Sequence, residues 1–75
     1  MAENEETRVI GEIELVPGGD AIVVSSGTFK GRAYVDIRRY YRRDDGSLAP
    51  TSKGVRVNPD DVETLIDLLK KSLED

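Results

Sequence analysis

Hydrophobic and polar positions alternate along the first two thirds of the chain and then change period. In residues 8–16, Ile13 and Leu15 alternate with Glu12 and Glu14, flanked by Val9, Ile10 and Val16. That is the period-2 signature of a strand with one wet face. Pro17-Gly18-Gly19-Asp20 breaks it; proline presets φ and glycine supplies positive φ, so the tetrad predicts a turn. Residues 21–26 (AIVVSS) are apolar and β-branched and predict the antiparallel partner strand. Gly27 and Gly31 then bracket Phe29 and Lys30 in a second tight connection.

Residues 32–41 predict a third strand. Alternation sends Val35 and Ile37 to the core and Tyr34, Asp36, Arg38 and Tyr40 to the other face. It also puts Tyr41 on the core side with Ile37. Arg38 and Tyr41 then meet one ligand only if a β-bulge or strand end intervenes near Arg39 or Tyr40. Residues 42–47 turn about Asp45-Gly46. Residues 48–51 continue from that turn, with Pro50 limiting ladder donation. Residues 52–54 predict a kink before a short fourth strand, 55–57, with Arg56 outward.

From Asn58 the period becomes helical. Asn58 is a good N-cap, Pro59 suits the first helical position, and Asp60 and Asp61 complement the helix dipole. Val62, Leu65, Ile66, Leu69 and Leu73 form one apolar stripe, which Leu68 widens. The expected fold is α+β: a four-stranded antiparallel sheet followed by one C-terminal helix, with the helix on one sheet face and the other face left to solvent or ligand. So wide a stripe in so small a protein is covered most economically by the helix of a second copy. Residues 1–7 are acidic and aperiodic and predict a disordered tail; residues 8–75 form the domain.

Composition narrows the chemistry. At 75 residues the core is small, and such domains gain from packing or oligomerisation. Cys and His are absent, which excludes disulfides and the usual structural zinc sites. There is no P-loop, and the acidic pairs Asp44-Asp45 and Asp60-Asp61 sit where turn and helix-start roles account for them. The expectation is therefore no enzyme, no metal and no cofactor. No apolar run is long enough to span a bilayer, and the acidic N-terminus is unlike a signal peptide. A cytoplasmic protein is expected, nucleoid-associated in a bacterium or nuclear in a eukaryote.

The net charge of −4 is unevenly spread. Residues 1–27 carry −5, residues 28–56 carry +5 and residues 57–75 carry −4. A polyanion feels the local field over roughly a Debye length, ~8–10 Å, more than the total charge. The basic third contains residues 28–41, TFKGRAYVDIRRYY, which hold the single Phe, all three Tyr and four of the eleven basic residues. Interleaved aromatic and cationic side chains suit single-stranded nucleic acid, whose bases stack while its phosphates are neutralised. On the residues alone, Phe29 serves equally well as a hydrophobic plug or as a contact.

From Phe29 the chain reads FKGRAYVDIRRYY, then an Asp-Gly turn, Pro50, Lys53-Gly54-Val55 and Asn58-Pro59 before the helix. This resembles the single-stranded-DNA-binding domain of the positive cofactor four family of transcriptional coactivators. That family's pattern is Phe-Lys-Gly-Lys, Asp-Ile-Arg-Glu-Tyr-Trp, Lys-Gly-Ile and Asn-Pro. The resemblance runs from Thr28 to about Leu69. It implies a homodimer joined through the helices, with curved sheets presented to single strands. It also implies that Phe29 stacks on or wedges against a base, that Lys30 and Arg32 hold phosphates, that Arg38 and Lys53 match the family's Arg and Lys, and that Tyr41 is a second stacking platform. Tyr41 replaces a larger Trp, Ser52 replaces a common basic residue, and Arg39, Arg42 and Arg43 are additional cations. Glu12 and Glu14 make the first hairpin poor in positive charge. The serine-rich segment of eukaryotic members has no counterpart here, as in a bacterial or phage-type member. The expected partners are single-stranded DNA or RNA, a second copy, and the transcription machinery. The alternative is an interaction module that contacts that machinery through Arg42-Arg43 with little nucleic-acid affinity of its own.

Overall fold

Four strands follow one another across a single antiparallel sheet in chain order: β1 (Glu5–Glu14), β2 (Ala21–Phe29), β3 (Arg32–Arg42) and β4 (Leu48–Val57). A 3-10 turn over Pro59–Asp61 leads into one helix, α1 (Val62–Lys71). The structure is a computed structural model and describes residues 5–74. The expected β-β-β-β-α order is observed.

Strand limits differ from the pattern in physically readable ways. β1 starts at Glu5 rather than residue 8, so Glu5, Glu6 and Thr7, expected in the tail, pair with Phe29, Thr28 and Gly27. Residues 1–4 of that expected tail lie outside the described residues. β2 runs through Gly27 to Phe29, and the second connection shrinks to Lys30 and Gly31. Both have positive φ, 52° and 81°, the twist that a two-residue hairpin needs. β1 carries a bulge at Ile10 between Val9 and Gly11.

The expected kink at 52–54 is a bulge within one long β4. Arg38 pairs with Gly54, whereas Tyr40 pairs with Pro50, so Thr51, Ser52 and Lys53 face only Arg39. Thr51 holds this loop: its Oγ1 donates to the Arg39 carbonyl at 2.6 Å and accepts from the Lys53 amide at 3.1 Å.

Asn58 caps the helical segment as expected, accepting from the Asp60 amide at 2.9 Å. The helix does not cover the sheet, contrary to expectation. Its main contact is with the preceding 3-10 turn, and Ile66, Leu68 and Leu69 are exposed. Leu73 lies beyond the helix end and is also exposed. The sheet face that alternation assigns to the core keeps Ile22, Val24, Val35 and Ile37 only half-buried and Val55 exposed. Burial is tightest on the opposite face, at Ala21, Val23, Ser25, Tyr34 and Asp36. The middle of that polar face is covered by its own long side chains, whereas on the apolar face only Ala49, opposite Tyr41, is as deeply buried.

Candidate nucleic-acid interface

The β2–β3 register is unbroken from Phe29↔Arg32 to Ala21↔Tyr40. Alternation along these strands places Phe29, Arg32, Tyr34, Asp36, Arg38 and Tyr40 on one face. Across β4, Asp36 faces Arg56 and Arg38 faces Gly54. A concavity of about 190 Å³ is sunk into this face, with Thr7, Ser25, Tyr34, Asp36, Arg38, Tyr40, Pro50 and Arg56 around it. Toward the hairpin tip a second concavity, about 230 Å³, is lined by Phe29, Arg32, Tyr34 and Arg56 among others. The two share Tyr34 and Arg56, so the surface is continuous.

Two glycines shape its floor. A Cβ on Gly54 would come within 2.8 Å of Arg38 Cβ and Cγ and 2.9 Å of its Cζ. The Arg38 side chain therefore lies across Gly54. A Cβ on Gly27 would run into the Glu6 carbonyl and stand 2.8 Å from the Tyr34 hydroxyl. Tyr34 crosses Gly27 and is hydrogen-bonded to Thr7 Oγ1 at 2.9 Å.

Asp36 organises the charges. Arg38 grips it with two hydrogen bonds, Nε to Oδ2 at 3.0 Å and Nη2 to Oδ1 at 2.9 Å, while Nη1 donates to the Thr51 carbonyl at 2.9 Å. Arg56 Nε reaches Asp36 Oδ1 at 3.4 Å, and its guanidinium stacks 4.0 Å from the centroid of Tyr34. The hydrogen bond from Arg38 holds the Asp36 carboxyl below the usual carboxylate range. The charge of Arg38 and the hydrogen bond and charge of Arg56 add to this, against the opposing effect of burial. At neutral pH the site is a carboxylate between two guanidiniums, one of them on an aromatic ring. Buried charges of this kind persist when paired and hydrogen-bonded.

The expected site residues divide. Phe29, Arg32 and Arg38 share this face. Lys30 sits at the hairpin tip with Nζ 5.3 Å from the Phe29 ring centroid. Tyr41 does not join Arg38: no bulge occurs in β3, the irregularity lies in β4, and alternation leaves Tyr41 on the opposite face. Lys53 lies in the β4 bulge and borders a concavity with Leu15, Ile22, Ile37, Arg38 and Arg39, separate from the two on the concave face. Arg39 and Arg42 are engaged by acids of the first hairpin, Asp20 at 2.9 Å and Glu14 at 3.2 Å. Two of the acids there are thereby matched within the fold. Thr7, Tyr34, Asp36 and Arg56 were missing from the expected site. The signal for Tyr34 and Asp36 was their shared strand face with Arg38; for Arg56 it was only an outward position on β4.

No cluster of His, Cys, Asp and Glu able to hold a metal occurs among the described residues.

The model of the family described as Transcriptional Coactivator p15 (PC4) matches residues 17–68, more than half of the chain. The fold is also similar to the crystal structure of a PC4 homolog from Burkholderia pseudomallei K96243. The TM-score is 0.83 at 28% identity, over 93% of this chain and 95% of that one.

Proposed function

The chain belongs to the transcriptional coactivator p15 (PC4) family, and from that premise we propose that it binds single-stranded DNA with little sequence preference, as a homodimer, on the polar sheet face. The observation that carries this reading is the continuous run Phe29, Arg32, Tyr34, Arg56, Arg38 on one concave surface. Flat aromatic and guanidinium groups accept any base by stacking, and cations neutralise phosphates. Phe29 is the base contact at the hairpin end, Lys30 and Arg32 are the phosphate holders there, and Arg38 lies in the floor. Tyr41 is left off this surface, and Lys53 lines an adjoining concavity that Arg38 also borders.

The homodimer reading is supported by two apolar surfaces that one copy leaves open, the Val24-Val35-Ile37 sheet face and the Ile66-Leu69 side of α1. Burying them against a second copy gains roughly 25 cal/mol per Å² of apolar surface.

The test is a titration followed by tyrosine fluorescence, which is uncomplicated because the chain has three Tyr and no Trp. Oligo-dT should bind more tightly than a matched duplex, and the affinity should fall with salt as counterions are released. Absence of oligo-dT binding at low salt would overturn the proposal in favour of an interaction module.

A further inference from the structure

Arg38 and Arg56 are the two guanidiniums nearest the centre of the concave face, and neither is arranged as an ordinary phosphate clamp. Each of Arg38's three nitrogens already donates within the fold, two to Asp36 and one to the Thr51 carbonyl. Its side chain crosses Gly54, whose missing Cβ makes the space. Arg56 is stacked on Tyr34 at 4.0 Å and reaches Asp36 at 3.4 Å, while its side chain remains 45% exposed. A phosphate approaching this centre would meet Asp36, whose charge offsets that of one arginine. A base would meet planar groups, and guanidinium planes stack on bases as aromatic rings do.

From this arrangement we infer that the Tyr34–Arg56–Asp36–Arg38 array is a base-stacking shelf and that the phosphates run along the hairpin-end rim at Lys30 and Arg32. Asp36 is a positioning residue: it holds both guanidiniums in place and lowers the net positive charge of the floor. The bound strand therefore turns its bases toward the sheet and its backbone away from it. The inference rests on the proposed single-strand binding and assigns the orientation of the strand.

Stacking and charge are separated by substituting lysine for arginine, which keeps the charge but loses the plane. The ligands are oligo-dT and an abasic phosphodiester strand of equal length, each titrated over a range of salt. Arg56→Lys should weaken oligo-dT binding about tenfold, the scale of one stacked base. It should leave the salt dependence unchanged and leave abasic binding at the wild-type level. Lys30→Ala should instead weaken both ligands and reduce the slope of log K against log salt by about 0.7, one phosphate contact on a single strand. Asp36→Asn, with its fold checked by circular dichroism, should lose oligo-dT affinity but not abasic affinity. Equal losses on the two ligands for Arg56→Lys, or no loss on either, would overturn the shelf. Wild-type protein that ignores oligo-dT would overturn the underlying reading, and the shelf with it. Arg56→Lys keeps the question answerable even if substitutions at the more buried Asp36 unfold the chain.

Discussion

Gly54 is the residue at which the concave face is most easily broken. Any side chain there meets Arg38 at under 3 Å, and Arg38 cannot move without leaving both Asp36 and Thr51. Gly54→Ala is expected to cost about 1–3 kcal/mol, the range for overpacking a filled site. Urea denaturation at neutral pH measures it. Asp36 makes a second prediction, through pH. Its carboxyl titrates below the usual carboxylate range in the folded chain because Arg38, and then Arg56, favour the ionised form. Its contribution to stability is complete above the unfolded-state value of ~4 and is lost as pH falls through the lower folded value. Asp36→Asn should therefore be less stable near neutral pH by about 2 kcal/mol, the scale of hydrogen bonds to a charged group. Its stability should also fall less steeply than wild type as pH drops below about 4. Parallel acid limbs for the two proteins would show that Asp36 is not the group responsible.

At the scale of elements, strand order, the three turns and the helix cap are legible in the sequence because each rests on local signals. Alternation marks the strands, Pro-Gly and Asp-Gly mark turns, and Asn58-Pro59 marks the helical start. The strand ends were not legible. Glu5 and Glu6 carry no apolar pattern at an edge position, and Gly27 reads as a turn glycine although it sits inside β2 to let Tyr34 pass. The Tyr34–Arg56 stack was hidden for a different reason. It depends on the β3–β4 register, and that register is set by the Thr51–Lys53 bulge, where three residues of β4 face one of β3. The same alternation puts Tyr41 on the face away from Arg38, where it pairs with Ala49. Two substitutions test the local account. Asn58→Ala removes the acceptor for the Asp60 amide and should cost about 1 kcal/mol. Thr51→Val removes the hydroxyl that ties Arg39 to Lys53 and should cost about 1 kcal/mol. Thr51→Val should also weaken oligo-dT binding, because Arg38 is anchored on the Thr51 carbonyl. Thermal unfolding and the fluorescence titration read the two effects separately.

The molecule buries the middle of its polar face more deeply than most of its apolar face, the reverse of what a monomeric sheet-and-helix domain does. Asp36, Tyr34 and Ser25 are more buried than Val35, Ile37 or any residue of α1. A second copy over the apolar face would complete the core and leave the concave faces outward. Sedimentation at micromolar concentration should therefore give a dimer, and its melting temperature should rise with protein concentration. Leu69→Glu, on the open side of the helix, should give a monomer of lower stability. A wild-type monomer at those concentrations would contradict the homodimer.

The placement of the strand is tested most directly by amide chemical-shift mapping of the protein titrated with oligo-dT. The largest changes are expected at Gly27, Phe29, Arg32, Tyr34, Arg38, Gly54 and Arg56, with Val62, Leu65 and Leu69 unmoved. Changes centred on α1 and the Val24-Val35-Ile37 face, with the concave face silent, would contradict it.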